Sequence, residues 1–110
     1  MEIKDEKVNS FTVVGLSGKL DASNAGMLES KLLSILDKNE TNILVDFQSL
    51  DYISSSGLRV LLFTAKKIKE LKGRFLLCSL APHIKEVFEI AGFTAIFKIF
   101  ATRDEALSAE

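Results

Sequence analysis

The chain has 110 residues, 47% of them hydrophobic and 26% charged, which is the size and balance of one globular domain around one core, so a single domain over residues 1–110 is expected. Its formal net charge of −1 excludes a general electrostatic pull toward nucleic acid or an anionic membrane. A single cysteine excludes an internal disulfide and a cysteine-rich zinc site, and it fits a reducing, cytoplasmic setting.

The opening stretch, MEIKDEKVNS, is too polar for a signal peptide, and no apolar run approaches the ~20 residues that span a bilayer. Met1 to Val8 has the charged, mixed composition of an exposed edge strand. Asn9 and Ser10 make a turn, and the β-branched and aromatic Phe11 to Leu16 make a second strand. An N-terminal hairpin follows from these two. Ser17 to Asn24 reads as a loop rich in helix N-cap residues. Leu28, Leu32, Ile35 and Leu36 then recur at the spacing of one helix face, and the helix closes between Asp37 and Asn42.

Ile43 to Phe47 is a continuous apolar strand of the kind buried on both faces of a sheet. A short polar loop leads from it to Ser54, Ser55 and Ser56. Gly57 follows, and then an amphipathic helix that buries Leu58, Leu61, Leu62, Ala65 and Ile68. The last turn of this helix is rich in lysine, which complements the negative end of the helix dipole, and Gly73 is placed at C′. Phe75 to Cys78 is another inner strand, with Cys78 a small core residue. Pro82 opens a helix at its first position, with Ile84, Val87, Phe88 and Ala91 as the buried stripe and Gly92 at its end. Ala95 to Phe100 makes a last strand. Thr102 and Glu105 have the spacing of a capping box and start a short helix over Arg103 to Ala109.

The predicted fold is therefore α/β in the order ββαβαβαβα. It has a mixed, mostly parallel sheet of about five strands, four helices, and the N-terminal hairpin as an antiparallel edge. In such sheets ligands and partners gather at the carboxyl ends of the strands. The Asp21 loop and the Ser54–Gly57 turn both follow a strand and both belong on that rim.

Small hydroxyl side chains at a helix N-terminus have two readings. One is a helix cap with spare serines. The other is a site that accepts or holds a phosphoryl group, because unpaired N–H groups and the dipole favour an anion there. A hydrolase nucleophile is disfavoured: Ile53 and Ser54 stand where a G-x-S-x-G elbow needs glycine, and the only histidine, His83, opens a later helix. An exposed helix-start residue is the simple reading of His83. A phospho-accepting Asp46 at the end of an inner strand would need a metal-binding acidic pair after the first strands, and Gly15-Leu16-Ser17-Gly18 has none. Asp21, Asp46 and Asp51 read as loop residues, and no phosphate-cradling glycine motif is present. No catalytic residue, metal ligand or cofactor site is assigned.

Several stretches together resemble a known family. They are Gly18-Lys19-Leu20-Asp21, Ile43 to Phe47, Leu50-Asp51-Tyr52-Ile53-Ser54-Ser55-Ser56-Gly57-Leu58, Lys72-Gly73, Phe75 to Ser79, Val87-Phe88, Ala91-Gly92-Phe93 and Asp104-Glu105-Ala106-Leu107. The chain resembles, over nearly its whole length, a STAS domain of the anti-sigma factor antagonist type found in sporulation and stress response. The resemblance implies a binding module and not an enzyme. It implies that the unmodified chain binds an anti-sigma factor serine kinase and so releases a sigma factor. That kinase would phosphorylate Ser55, the match to the first serine of the family motif, and a serine phosphatase would reverse the modification. Ser54 stands where the family usually has Asp. Ser56 and Gly57 match the rest of the motif as supporting residues, and Asp21 matches the family's loop aspartate beside the phosphosite. Two alternatives accompany this reading: a STAS subunit of another assembly, such as a signalling scaffold or a lipid-transport accessory, and a nucleotide-binding STAS domain.

Overall fold

A computed structural model describes residues 1–109. The strands are β1 (Glu2–Val8), β2 (Phe11–Leu20), β3 (Asn42–Ile53), β4 (Arg74–Cys78) and β5 (Lys98–Phe100). The helices are α1 (Ala25–Asp37), α2 (Ser55–Glu70), α3 (Pro82–Ile90) and α4 (Arg103–Ser108). The five strands lie side by side in chain order, β1 antiparallel to β2 and every later pair parallel. The α/β class, the mixed sheet and the hairpin at its edge are as the sequence predicts.

The unbroken strand order decides the layering. Parallel crossovers are right-handed, so a sheet that grows in one direction puts each crossover helix on the same face. Leu28, Leu32 and Ile35 of α1, Leu61 and Ile68 of α2, and Ile84 and Phe88 of α3 accordingly share one core with Val14, Val45, Phe47 and Leu77 of the sheet. The alternate residues Val13, Leu44, Leu76 and Cys78 point to the other face, where Ala106 of α4 covers them. Burial pushes the Cys78 thiol up to about 11, as befits a core cysteine.

Several boundaries differ from expectation, each for a local reason. β2 runs on to Leu20 and β3 to Ile53, so the expected polar loop after Phe47 is strand. Leu20, Leu50 and Ile53 are buried there, and two register shifts, between Gly15 and Ser17 and between Gly18 and Lys19, keep the two strands paired. Asp46 and Asp51 are thus strand residues and not loop residues. Helix α2 begins at Ser55, ahead of Gly57. Its buried stripe is rotated: Val60 and Thr64 are buried, while Leu58, Leu62 and Ala65 are half-buried. Thr64 is accommodated because its hydroxyl donates to the Val60 carbonyl at 2.8 Å.

At the end of α2 it is Lys72, with φ 60°, that adopts the left-handed C′ conformation. Its N–H donates to the Lys69 carbonyl and that of Gly73 to the Ile68 carbonyl, which is a Schellman closure with Gly73 at C″. Glycine is needed at 73 because a Cβ would sit 2.0 Å from the Thr41 carbonyl oxygen. On α3 only Ile84 and Phe88 are buried; Val87 and Ala91 of the expected stripe are exposed. The last strand shortens to Lys98–Phe100 because Phe93–Ala95 winds into a 3-10 turn, with Phe93 and Phe97 stacked edge-on around Phe88. Among the described residues no helix is long and apolar enough to cross a membrane.

Candidate functional site

The rim at the carboxyl ends of β2 and β3 is built by the two longest strands, 10 and 12 residues against 5 and 3 for β4 and β5. Leu20 pairs with Ile53 at the tip, and the Ser54 N–H donates to the Leu20 carbonyl at 2.9 Å. That bond joins the Asp21 loop to the serine turn. The predicted site residues Asp21, Ser54, Ser55, Ser56 and Gly57 therefore occupy one continuous edge.

Ser54 is the N-cap of α2. Its backbone is extended, and its hydroxyl accepts from the Gly57 N–H at 3.3 Å. Ser55 is the first helical residue and is exposed; Ser56 is half-buried. Gly57 is buried, and its role is steric. A Cβ there would lie 2.7 Å from Leu20 Cγ and 3.0 Å from Ile53 Cγ1. Only glycine lets the first turn of α2 settle on the two strand ends, and this holds the Ser55 backbone against the rim.

The Asp21 loop is braced from within. The Asp21 carboxylate accepts from the Ser23 hydroxyl at 2.6 Å and from the Ser23 N–H at 2.9 Å. These two bonds hold its pKa below the ordinary 3.8. Asn24 accepts from the Asp21 N–H at 2.9 Å and donates to the Lys19 carbonyl at 2.8 Å. The loop thus presents a carboxylate whose charged form the Ser23 bonds favour. The first turn of α2 carries no acidic residue, so the positive end of its dipole is not offset by its own side chains.

Two neighbours escape sequence reasoning. His83, at the start of α3, has its Nε2 2.6 Å from the Asp51 carbonyl and so ties a later helix to the strand that delivers the serines. Tyr52, two residues before the N-cap, is 49% exposed and adds an aromatic surface to the rim. The pairing of His83 with Asp51 spans 32 positions and leaves no local signal. Asp46 lies apart from the rim: it is 4% exposed and held by Arg103 of α4.

The family model described as STAS domain matches residues 2–106. The chain belongs to the STAS domain family. It is 40% identical over 109 residues to the Bordetella bronchiseptica protein BtrV, named a candidate anti-sigma factor antagonist, with 99% of this chain and 94% of that one covered. The solved unphosphorylated form of the anti-sigma factor antagonist SpoIIAA superimposes with a TM-score of 0.85 at 24% identity, covering 98% of this STAS chain and 95% of that one. The phosphorylated form of the Bacillus cell fate determinant SpoIIAA superimposes with a TM-score of 0.79, also at 24% identity, with 98% of each chain covered. These likenesses confirm the STAS architecture read from the sequence.

Proposed function

We propose that this chain, as one STAS domain, is an anti-sigma factor antagonist. It docks on an anti-sigma factor through the rim that carries Asp21 and Ser54 to Gly57, and phosphorylation of Ser55 by that factor, acting as a serine kinase, ends the complex. On this reading it acts in the cytoplasm as a binding module, and a serine phosphatase returns it to the docking form. The relatives named as anti-sigma factor antagonists support the role.

The observation that carries the proposal is the exposed Ser55 hydroxyl at the first position of α2, next to a serine already committed to capping. A kinase can reach it without unfolding the turn. A phosphate there meets the unpaired N–H groups and positive dipole end of α2, so the domain itself tolerates the modification. It also adds about −2 charge to an edge that already holds the ionised Asp21. A partner seated on that edge must desolvate both anions, and affinity falls while the fold persists. Ser54 takes the capping role that a carboxylate also fills, and it leaves the N-cap neutral.

The test is incubation with ATP and the host's candidate anti-sigma kinases, followed by intact-mass analysis and site mapping. One phosphate is expected on the wild-type chain and none on Ser55→Ala, which retains partner binding. A phosphate that persists on Ser54 or Ser56 in that variant overturns the assignment of the acceptor.

A further inference from the structure

At the opposite, amino-terminal end of β4 and β5 lies an open groove of about 880 Å³, at the upper end of the volumes typical of ligand sites. One wall is the second half of α2; the other is the 3-10 turn and the start of β5. Its floor is apolar. Leu62, Ala65 and Phe75 are half-buried against the core, and Ile96 is 56% exposed. Ile96 is a large apolar residue left open to water.

The charge of this groove is one-sided. Lys66, Lys69 and Lys72 line the α2 side and Lys98 the β5 side, and no Asp or Glu lines it among the described residues. None of these four lysines is ion-paired among the described residues, although lysines elsewhere in the fold are paired with acids. A chain with a net charge of −1 therefore gathers four lysines, without an ion pair among the described residues, on both sides of one recessed apolar strip. Lys66 and Lys69 are one helical turn apart and face the same way.

We infer that this groove is a second docking site, for an acidic amphipathic helix of a partner protein. The complement of an apolar floor with cations on both lips is an apolar ridge flanked by carboxylates, the pattern that a helix presents at i, i+3 and i+4. The half-burial of Leu62, Ala65 and Phe75 favours a protruding helix over a flat bilayer. The inference goes beyond the proposed antagonist activity and does not depend on it, because Ser55 sits at the other end of the sheet.

The experiment uses the full chain and a fluorescein-labelled probe peptide of about four helical turns, with leucines on one face and glutamates flanking them. Anisotropy should report saturable binding that weakens as salt rises, and amide chemical-shift changes should map to Lys69, Ile96 and Lys98 and spare Ser54 to Gly57. Reversing Lys66, Lys69 and Lys98 to Glu should lower affinity about tenfold or more, as charge reversal does at complementary interfaces, while far-UV circular dichroism stays unchanged. Ile96→Ser, at an exposed position, tests the floor without charge change and should also weaken binding. Ser55→Asp should leave binding of this probe intact, which separates a failure here from a failure of the phosphorylation reading. The inference is overturned by any of three results: no saturable binding, equal binding of a peptide with Lys in place of Glu, or capture by phosphatidylglycerol vesicles in preference to the peptide.

Discussion

Asp46 and Ser55 lie on one strand-to-helix stretch and are treated in opposite ways. Asp46 is 4% exposed, with one carboxylate oxygen receiving both Nε and Nη2 of Arg103, at 3.1 and 3.0 Å, and the other receiving the Gln48 N–H. Both carboxylate oxygens are hydrogen-bonded, which offsets the cost of burial, and the residue fastens α4 to the sheet. Arg103 also reaches Glu6 at 2.9 Å, so one guanidinium gathers β1, β3 and α4. Ser55 is exposed, and the bond that caps its helix is made by its neighbour. Accessibility and spare bonding capacity, not residue chemistry alone, separate a structural polar group from one that a visiting enzyme can alter.

The comparison breaks most visibly at Asp46. Asp46→Ala leaves the Arg103 guanidinium with Glu6 alone and should cost about 2 kcal/mol in urea unfolding, below the ~3–5 of a fully buried pair because Arg103 is 38% exposed and keeps that second partner. Arg103→Ala leaves the carboxylate buried and should cost as much or more. Equal stability of either variant and wild type would remove the fastening role. Phosphorylation at Ser55 should proceed normally in a folded Asp46→Asn variant, since the two groups serve different ends of β3.

Gly57→Ala comes next. The new methyl gains helix propensity but meets Leu20 and Ile53 at 2.7 to 3.0 Å, and overpacking of this kind costs about 1–3 kcal/mol. Net destabilisation of about 1–2 kcal/mol is expected in urea melts, together with slower phosphorylation as the first turn lifts from the rim. A Gly57→Ala variant more stable than wild type would show that the turn is not held by contact.

Smaller again is the difference between adjacent serines. Ser54→Ala removes the cap and should cost about 1 kcal/mol, whereas Ser55→Ala at an exposed position should stay within about 0.5 kcal/mol of wild type. Matched urea titrations of the two variants decide it. Equal losses would mean that both hydroxyls are structural.

How much of this was legible in the sequence follows from where each signal lives. Short apolar runs such as Ile43 to Val45 and Phe75 to Cys78 announced inner strands, and Thr102 announced the cap it makes, accepting from the Glu105 N–H at 3.1 Å. Residues 48 to 53 did not read as strand, because half of their side chains are polar and the pairing that holds them comes from the distant Ser17 to Leu20. The rotated face of α2 was missed because Thr64 satisfies its own hydroxyl within the helix and passes for an apolar residue. At the candidate site, the exposed serine and the loop aspartate stood out as motif residues. The anchoring of His83 to Asp51, and the steric need for glycine at 57, exist only once separate elements pack together.

The least costly perturbation concerns Asp21, whose carboxylate lies on the serine rim. Its folded pKa lies below the ordinary 3.8 because Ser23 donates two hydrogen bonds to the charged form. A group with a lowered folded pKa adds stability that is present above its unfolded value and is lost as pH falls through the folded one. The contribution of Asp21 is therefore complete at neutral pH and is lost as pH falls below 3.8 and through the folded pKa. Ser23→Ala removes the hydroxyl bond and should move the carboxyl titration of Asp21 upward, toward 3.8, in a side-chain NMR titration, with little change in melting temperature at pH 7. An unmoved titration would mean that the loop backbone alone holds the charge. An upward shift would mean that the Ser23 hydroxyl helps to hold the charge; Asp21 is ionised at neutral pH with or without that bond, so a phosphate arriving at Ser55 adds to a negative charge already in place.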